Sequence, residues 1–278
     1  MTDLLSPREV AIAVAPNGGR RTKVDHSAVP LTAAELARTA AECLYAGASM
    51  IHIHVRKPDG SHLLDVEAYR QAIAAIRAEV GDRLVVQITT EALGVYAPVE
   101  QIAVLKTVRP EAASLALREL APDDAAEPAF AEALSWMKQE NVLPQIILYN
   151  PGEAVRLAAM IQRGLVPWSD IPVLYVLGRY TVSQTSQPTD LLPFLAPDMP
   201  RFSSWSVCAF GRYEAACVTA AALLGGHVRV GFENNLLLPD GSLASSNAAL
   251  VEAVATAATG VGCALCDASR ARELLTCL

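Results

Sequence analysis

Aromatic residues are scarce in this 278-residue chain, at 5% of the sequence, and charged residues make up only 18%. The 22 lysines and arginines are outnumbered by 29 acids, giving a net charge of −7, and no basic block gathers anywhere. That balance excludes nucleic acid and anionic membrane surfaces as expected partners. No apolar run approaches the ~20 residues that a membrane span needs, and the opening Met1-Thr-Asp-Leu-Leu-Ser-Pro-Arg8 is polar where a signal segment would be apolar. A cytoplasmic protein is expected. No Pro/Gly/Ser linker, charge block or repeat divides the chain, so a single domain spanning residues 1–278 is expected.

The six cysteines (43, 208, 217, 263, 266 and 277) are scattered through helix-like and strand-like segments, as free buried thiols are. Cys263-Ala-Leu-Cys266 has the C-x-x-C spacing but no second Cys or His pair nearby, so two packed thiols are expected rather than a zinc or redox site.

What is present is a regular alternation. Strand-like runs cover Val10–Pro16, Ser49–Val55, Leu84–Thr90, Ala113–Glu119, Gln145–Asn150, Val173–Gly178, Trp205–Gly211 and Val228–Asn234. Between them lie helical patterns: a segment opening with the capping-box sequence Thr32-Ala-Ala-Glu35, then Val66–Val80, Pro98–Val108, Pro128–Glu140, Gly152–Gly164, Thr189–Leu195, Glu214–Leu224 and Ser246–Thr259. Strict βα alternation demands a parallel sheet, and eight units at this length fit a closed (β/α)8 TIM barrel. No G-x-G-x-x-G follows the first strand, which counts against a dinucleotide fold. Leu265–Leu278 reads as a short C-terminal helix, packing on the barrel or on a neighbouring subunit.

Chemistry in such barrels gathers at the C-terminal strand ends. The second strand ends Met50-Ile-His52-Ile-His54-Val55, and side chains alternate along a strand, so both imidazoles face one side. Two of only five histidines on one face of an apolar strand are costly unless something binds them, and a divalent metal is the commonest partner. On the eighth strand Arg229, Gly231 and Glu233 share a face opposite Val228, Val230 and Phe232. Strands two and eight flank the first, so His52, His54 and Glu233 can meet as a His2Glu set with an open position, a catalytic zinc pattern. A buried Arg229–Glu233 ion pair is the competing reading for that carboxylate. His26, His62 and His227 are read as solvent or loop residues. The turn Asn17-Gly-Gly-Arg20-Arg21 lacks the Lys-Ser/Thr of a P-loop, and either covers the site as a mobile loop offering an arginine to an anion or is a plain turn.

The stretches Ala46-Gly-Ala-Ser-Met-Ile-His-Ile-His-Val-Arg-Lys-Pro-Asp-Gly60, Gln87-Ile-Thr-Thr90 and Val228-Arg-Val-Gly-Phe-Glu-Asn-Asn-Leu-Leu-Leu-Pro-Asp-Gly241 resemble the β-keto acid cleavage enzyme family over nearly the whole chain. The best-known member of that family is the 3-keto-5-aminohexanoate cleavage enzyme. The resemblance implies a (β/α)8 barrel with zinc on His52, His54 and Glu233. It implies conversion of a β-keto acid and acetyl-CoA into acetoacetate and a new acyl-CoA by Claisen and retro-Claisen steps, in a homo-oligomer (dimer or tetramer). By the same resemblance Thr89, with Thr90 beside it, is the hydroxyl position near the substrate carboxylate, Ser114 binds carboxylate, and Arg229 orients the reacting groups.

Two positions depart from the family. Its residue after the ligand Glu is commonly an Asp that serves as base; here it is Asn234, and an amide accepts no proton usefully at neutral pH. The role then falls to Glu91 or Glu119. Glu91 is favoured because it follows Thr89-Thr90; Glu119 can pair with Arg118, and Asn234 can hold Arg229. The second departure is Asn17, where the aminohexanoate enzyme carries a Glu for its substrate's ammonium. A neutral Asn makes a simple amino-substituted substrate less expected. It leaves a neutral or polar tail, or a quaternary ammonium held by Tyr149 or Tyr96. A zinc hydrolase and a CoA-independent aldolase are the competing enzyme classes, and a barrel holding a structural metal is the non-catalytic one.

Overall fold

The computed structural model describes residues 7–276; Cys277, the polar opening residues 1–6 and the last two residues of the predicted C-terminal segment lie outside the described residues. Eight strands close into a parallel barrel: β1 (Ile12–Val14), β2 (Met50–Ile53), β3 (Val85–Thr89), β4 (Ala112–Ala116), β5 (Leu143–Leu148), β6 (Val173–Leu177), β7 (Trp205–Ala209) and β8 (His227–Val230). Each strand pairs with the next in sequence, and β8 returns to β1 with Arg229 opposite Ala13. The outer helices are α1 (Ala33–Tyr45), α2 (Val66–Val80), α3 (Pro98–Val108), α4 (Glu127–Glu140), α5 (Pro151–Gln162), α6 (Glu214–Leu224), α7 (Asn247–Gly260) and α8 (Ala268–Leu275). This is the TIM barrel that the βα alternation requires.

Local sequence sets the helix boundaries. Thr32 Oγ1 accepts the Glu35 N–H while Glu35 accepts the Thr32 N–H, so α1 starts on a reciprocal cap. Asp65 caps α2 through the Ala68 N–H, and Ser246 caps α7 through the Ala249 N–H. The predicted helix Thr189–Leu195 is instead a 3-10 helix, Pro188–Phe194; Pro188 and Pro193 remove two donors from so short a segment.

Side-chain alternation sorts the barrel wall into two populations. Ile51, Ile53, Val86, Ile88, Leu115 and Val228 face outward and are packed into the main core under the helices. The inward residues form layers. At the N-terminal end Ala13, Met50, Val85 and Ala112 pack against Ala271 and Leu275 of α8, which stoppers the barrel. Above them lies a polar layer in which His52 Nδ1 donates to Gln87 Oε1 (2.7 Å), Gln87 Nε2 to Gln145 Oε1 (3.2 Å) and Gln145 Nε2 to Ser206 Oγ (3.4 Å). Strand register makes this possible, since His52 lies opposite Gln87 and Ser114 opposite Gln145.

Several strands are shorter than predicted, and in two of them the lost end carries candidate residues. The fourth ends at Ala116, and Leu117–Leu120 turns into a single helical turn carrying Arg118 and Glu119. The eighth ends at Val230, where Gly231 (φ +136°) turns the chain inward; an added Cβ there would sit 2.4 Å from the Ala15 carbonyl oxygen. Beyond β2, Val55–Arg56 pairs with His62–Leu63 in a small antiparallel hairpin. The three histidines expected at solvent are all buried: His26 bonds to the Ala244 carbonyl, His62 to the Glu91 carbonyl, and His227 accepts the Ala11 N–H. A backbone partner for each ring offsets the cost of removing it from water.

Candidate active site

His52 Nε2, His54 Nε2 and Glu233 Oε2 converge at the C-terminal mouth of the barrel. The two ring nitrogens are 3.3 Å apart, and Glu233 Oε2 lies 3.2 Å from His54 and 3.7 Å from His52. Both histidines are 1% exposed, so no bulk water competes for these atoms. The tautomer of His52 follows from its neighbours: Gln87 spends its N–H2 on Gln145, leaving its oxygen to take the His52 Nδ1 proton and His52 Nε2 bare. Glu233 divides its oxygens. Oε1 accepts from Arg229 Nη2 (2.8 Å), while Oε2 is buried without a hydrogen-bond partner. Both readings of Glu233 therefore meet in one carboxylate.

Protonation states agree with a ligand set. Burial, with the Arg229 charge nearby, pushes His52 down to about 3, so its ring is neutral at physiological pH. Desolvation acts to raise Glu233, but Arg229 and then the histidines outweigh it and hold the carboxylate well below the usual range. The bare His52 Nε2 and Glu233 Oε2 point at the same spot as His54 Nε2, and a cation there would satisfy all three atoms at once. Their 3.2–3.7 Å spacings match the roughly 3.4 Å expected of tetrahedral ligands at about 2.0–2.2 Å. Among the described residues this is the one His/Cys/Asp/Glu group with metal-binding spacing. Gln87→Leu is expected to weaken metal affinity by about 10–100-fold with the barrel intact, because the His52 ring loses the group that orients it; titration with a competing chelator measures this.

The β1–α1 loop is pressed against the carboxylate. A Cβ on Gly18 (φ +57°) would lie 2.6 Å from Glu233 Cγ, and one on Gly19 would lie 2.4 Å from Leu93 Cδ1. Arg56, 8% exposed, holds the loop in place by donating to the carbonyls of Asn17 (3.1 Å), Gly18 (2.8 Å) and Arg21 (2.8 Å). Its position two residues after the His-x-His pair was its sequence signal. On the other flank Glu214, at the start of α6, accepts from the Gly231 N–H (3.2 Å) and from Asn235 Nδ2 (3.3 Å), fixing the turn that carries Glu233.

Burial pushes the Glu214 carboxyl up to about 8 from an ordinary 4.5. The folded state thus holds an extra proton between those values, and the contribution to stability is complete below the lower one and lost as pH rises through the upper one. Melting temperature is expected to fall over that window in the wild type and to fall less in Glu214→Gln, which thermal melts across a pH series test.

The other candidate residues divide. Thr89, Glu91, Ser114 and Arg229 line the cavity in front of the three converging atoms. Ser114 Oγ and Arg229 Nε have no partner, Thr89 Oγ1 accepts the Glu91 N–H (3.0 Å), and Glu91 Oε2 lies 3.8 Å from His54 Nδ1. Glu119 is not brought to the cavity. It accepts from the Ala92 N–H (2.9 Å) and Gln101 Nε2 (2.9 Å), bracing the loop behind Glu91, and Arg118 pairs with Glu153 instead. Thr90 turns its hydroxyl to the Ser114 carbonyl. Asn234 is fully buried, lines neither neighbouring cavity, and makes no side-chain bond to Arg229. Asn17 spends its amide on the His54 and Pro30 carbonyls and accepts the His54 N–H, so it clamps β1 to β2. Tyr149 lines the cavity, but Arg118 covers its ring at 4.4 Å, and Tyr96 bonds to the Leu64 N–H away from the site.

Arg179, on the loop after β6, is a residue that sequence periodicity does not reveal. Its Nη2 is 3.6 Å from Glu91 Oε1 and its guanidinium lies 5.1 Å from the Phe210 ring centre. Opposite the histidines, Ala116, Ile147, Val176 and Phe210 make an apolar wall.

The sequence profile of the beta-keto acid cleavage enzyme family matches residues 9–276. The 3-keto-5-aminohexanoate cleavage enzyme of Fusobacterium nucleatum is 31% identical over 275 residues, covering 96% of this chain and 98% of its own. The 3-oxoadipate:acetyl-CoA acetyltransferase of Cupriavidus necator is 28% identical over 281 residues, covering 95% and 93%. Among solved structures, the binary complex of ObcA with oxaloacetate superposes with a TM-score of 0.70 at 16% identity, covering 89% of this chain and 67% of that one, a likeness of fold. With a full-length profile match over this fold, the chain belongs to the beta-keto acid cleavage enzyme family.

Proposed function

We propose that this protein is a zinc-dependent enzyme that condenses a β-keto acid with acetyl-CoA, giving acetoacetate and a new acyl-CoA. The observation that carries the reading is the buried convergence of His52, His54 and Glu233 on one point with Glu233 Oε2 lacking a partner. These three side chains would hold the metal, which when bound supplies a Lewis acid to stabilise enolate charge in a site shielded from water.

The remaining work falls to the chain. Thr89 and Ser114 offer hydroxyls to the substrate carboxylate at the cavity wall. Glu91 takes the α-proton, being the carboxylate in that wall that is not locked in a short ion pair. The resulting carbanion attacks the acetyl thioester and expels CoA as thiolate; the thiolate adds to the original keto carbon, cleavage of the bond between that carbon and the α-carbon releases acyl-CoA, and Glu91 returns its proton to the α-carbanion to give acetoacetate. Arg229, buried against Glu233, presents its free Nε to the reacting oxygens. Among the described residues no helix is long and apolar enough to cross a membrane; a cytoplasmic site of action is part of the proposal. Exposed Leu223 and Leu224 on α6 give a surface for a homo-oligomer, a dimer or tetramer. Metal analysis combined with a β-keto acid panel tests the reading: acetoacetate should form only with acetyl-CoA present and zinc retained. Formation without acetyl-CoA would instead indicate an aldolase or hydrolase.

A further inference from the structure

We propose that the cavity beside β1 is an anion subsite and that the preferred substrate is a β-keto acid whose tail ends in a second carboxylate; this rests on the reaction proposed above. Two cavities open at the barrel mouth, and both are bounded by Glu91, Arg179, Phe210 and Glu233, so a ligand seated at Glu233 can extend into either. The one facing β5 to β7 ends on apolar side chains. The one facing β1 is walled by Arg20, Arg21 and Arg179.

The charges in this second wall do not cancel. Glu233 is already offset by Arg229 at 2.8 Å, and Glu91 meets Arg179 only at 3.6 Å. Arg21 uses Nη1 on the Phe232 carbonyl, and Arg20, exposed on the loop, has no acidic partner among the described residues. Gly18 packs directly on the Glu233 side chain, so the loop that carries Arg20 and Arg21 lies against that carboxylate. Guanidinium groups in such a wall suit a carboxylate, which they bind in two-point geometry. A cationic tail would meet three guanidinium groups and only two carboxylates, Glu233 already paired with Arg229 and Glu91 already facing Arg179, while Asn17 is neutral and committed to backbone. The phosphates of CoA are a poorer fit, because the pantetheine arm keeps them far from the thioester that must reach the same point.

Steady-state kinetics on the zinc-loaded enzyme test this, using 3-oxoadipate, the chain-matched neutral 3-oxohexanoate and 5-amino-3-oxohexanoate. The diacid should lead in kcat/KM by at least about tenfold. Arg20→Gln should lower the diacid-to-neutral ratio about tenfold, mainly through KM of the diacid, and Arg20→Glu should lower it further. A better neutral or amine substrate, or a ratio unmoved in both variants, overturns the proposal. So does a raised KM for acetyl-CoA with equal loss on both acids, which would give the cavity to CoA. If no keto acid turns over, the reaction reading fails, and calorimetry with unreactive adipate judges the subsite separately: binding weakened in Arg20→Gln sustains it, and absence of binding to wild type sinks it.

Discussion

His54→Ala should yield a folded barrel that retains no zinc and forms acetoacetate at least about 10³-fold more slowly than wild type. A Lewis acid contributes several kcal/mol of charge stabilisation, and each ~1.4 kcal/mol is tenfold in rate. The choice of ligand matters for the control. Glu233→Ala removes the same metal but also leaves Arg229, 3% exposed, without its partner. An unpaired buried charge costs about 3–5 kcal/mol, so Glu233→Ala should also melt roughly 10 °C lower in a domain of this size. His54→Ala leaves that pair intact and should melt close to the zinc-free wild type. Zinc content per chain, melting temperature and acetoacetate rate together separate the two effects. A His54→Ala protein with one zinc per chain and normal turnover would refute the metal assignment.

Glu91→Gln should keep its zinc and lose about 10²–10⁴-fold in kcat, the usual contribution of a positioned proton acceptor. The substitution preserves shape, and the carboxamide still reaches Arg179. The outcome also decides between two roles. Glu91 Oε2 stands 3.8 Å from His54 Nδ1, beyond hydrogen-bond length, so Glu91 is placed as a base facing the cavity rather than as the group orienting that ring. Loss of zinc with loss of rate would assign it to orientation instead. In neither case does the Asn234 amide stand in, since it is fully buried and lines neither cavity.

These residues differ in how legible they were. His52 and His54 were readable because strand alternation is rigid: even with β2 ending at Ile53, both rings stay on the inner side. Gln87 was readable by the same rule, being inward and opposite His52 in register. Glu233 reaches its place by another route than parity. The strand stops three residues earlier, and the glycine turn at 231 swings the carboxylate over, so the pattern pointed to a residue that does converge with the histidines, but through an incorrect extension of the strand. Arg118 and Glu119 read as strand because an apolar run precedes them, but the chain coils after Ala116 and sends both away from the cavity. Arg179 sits on a loop with no periodicity, and only closure of the barrel carries it to Glu91. The fold was legible because eight repeats of one alternation leave little choice of topology. Loop residues carry no such constraint.

The helix α8 lodged under Ala13, Met50, Val85 and Ala112 has a kinetic consequence. Side-chain layers and α8 fill the barrel below the histidines, so on the proposed reaction both reactants and both products would share the mouth at the C-terminal end. On the proposed reaction, the small keto acid would settle at the histidines before the long thioester fills the doorway. Departure would run in reverse, with the bulky acyl-CoA clearing the passage ahead of acetoacetate. Such a barrel would work as a compulsory-order, last-in-first-out device, and inhibition by acetoacetate is then expected to compete with the keto acid and not with acetyl-CoA.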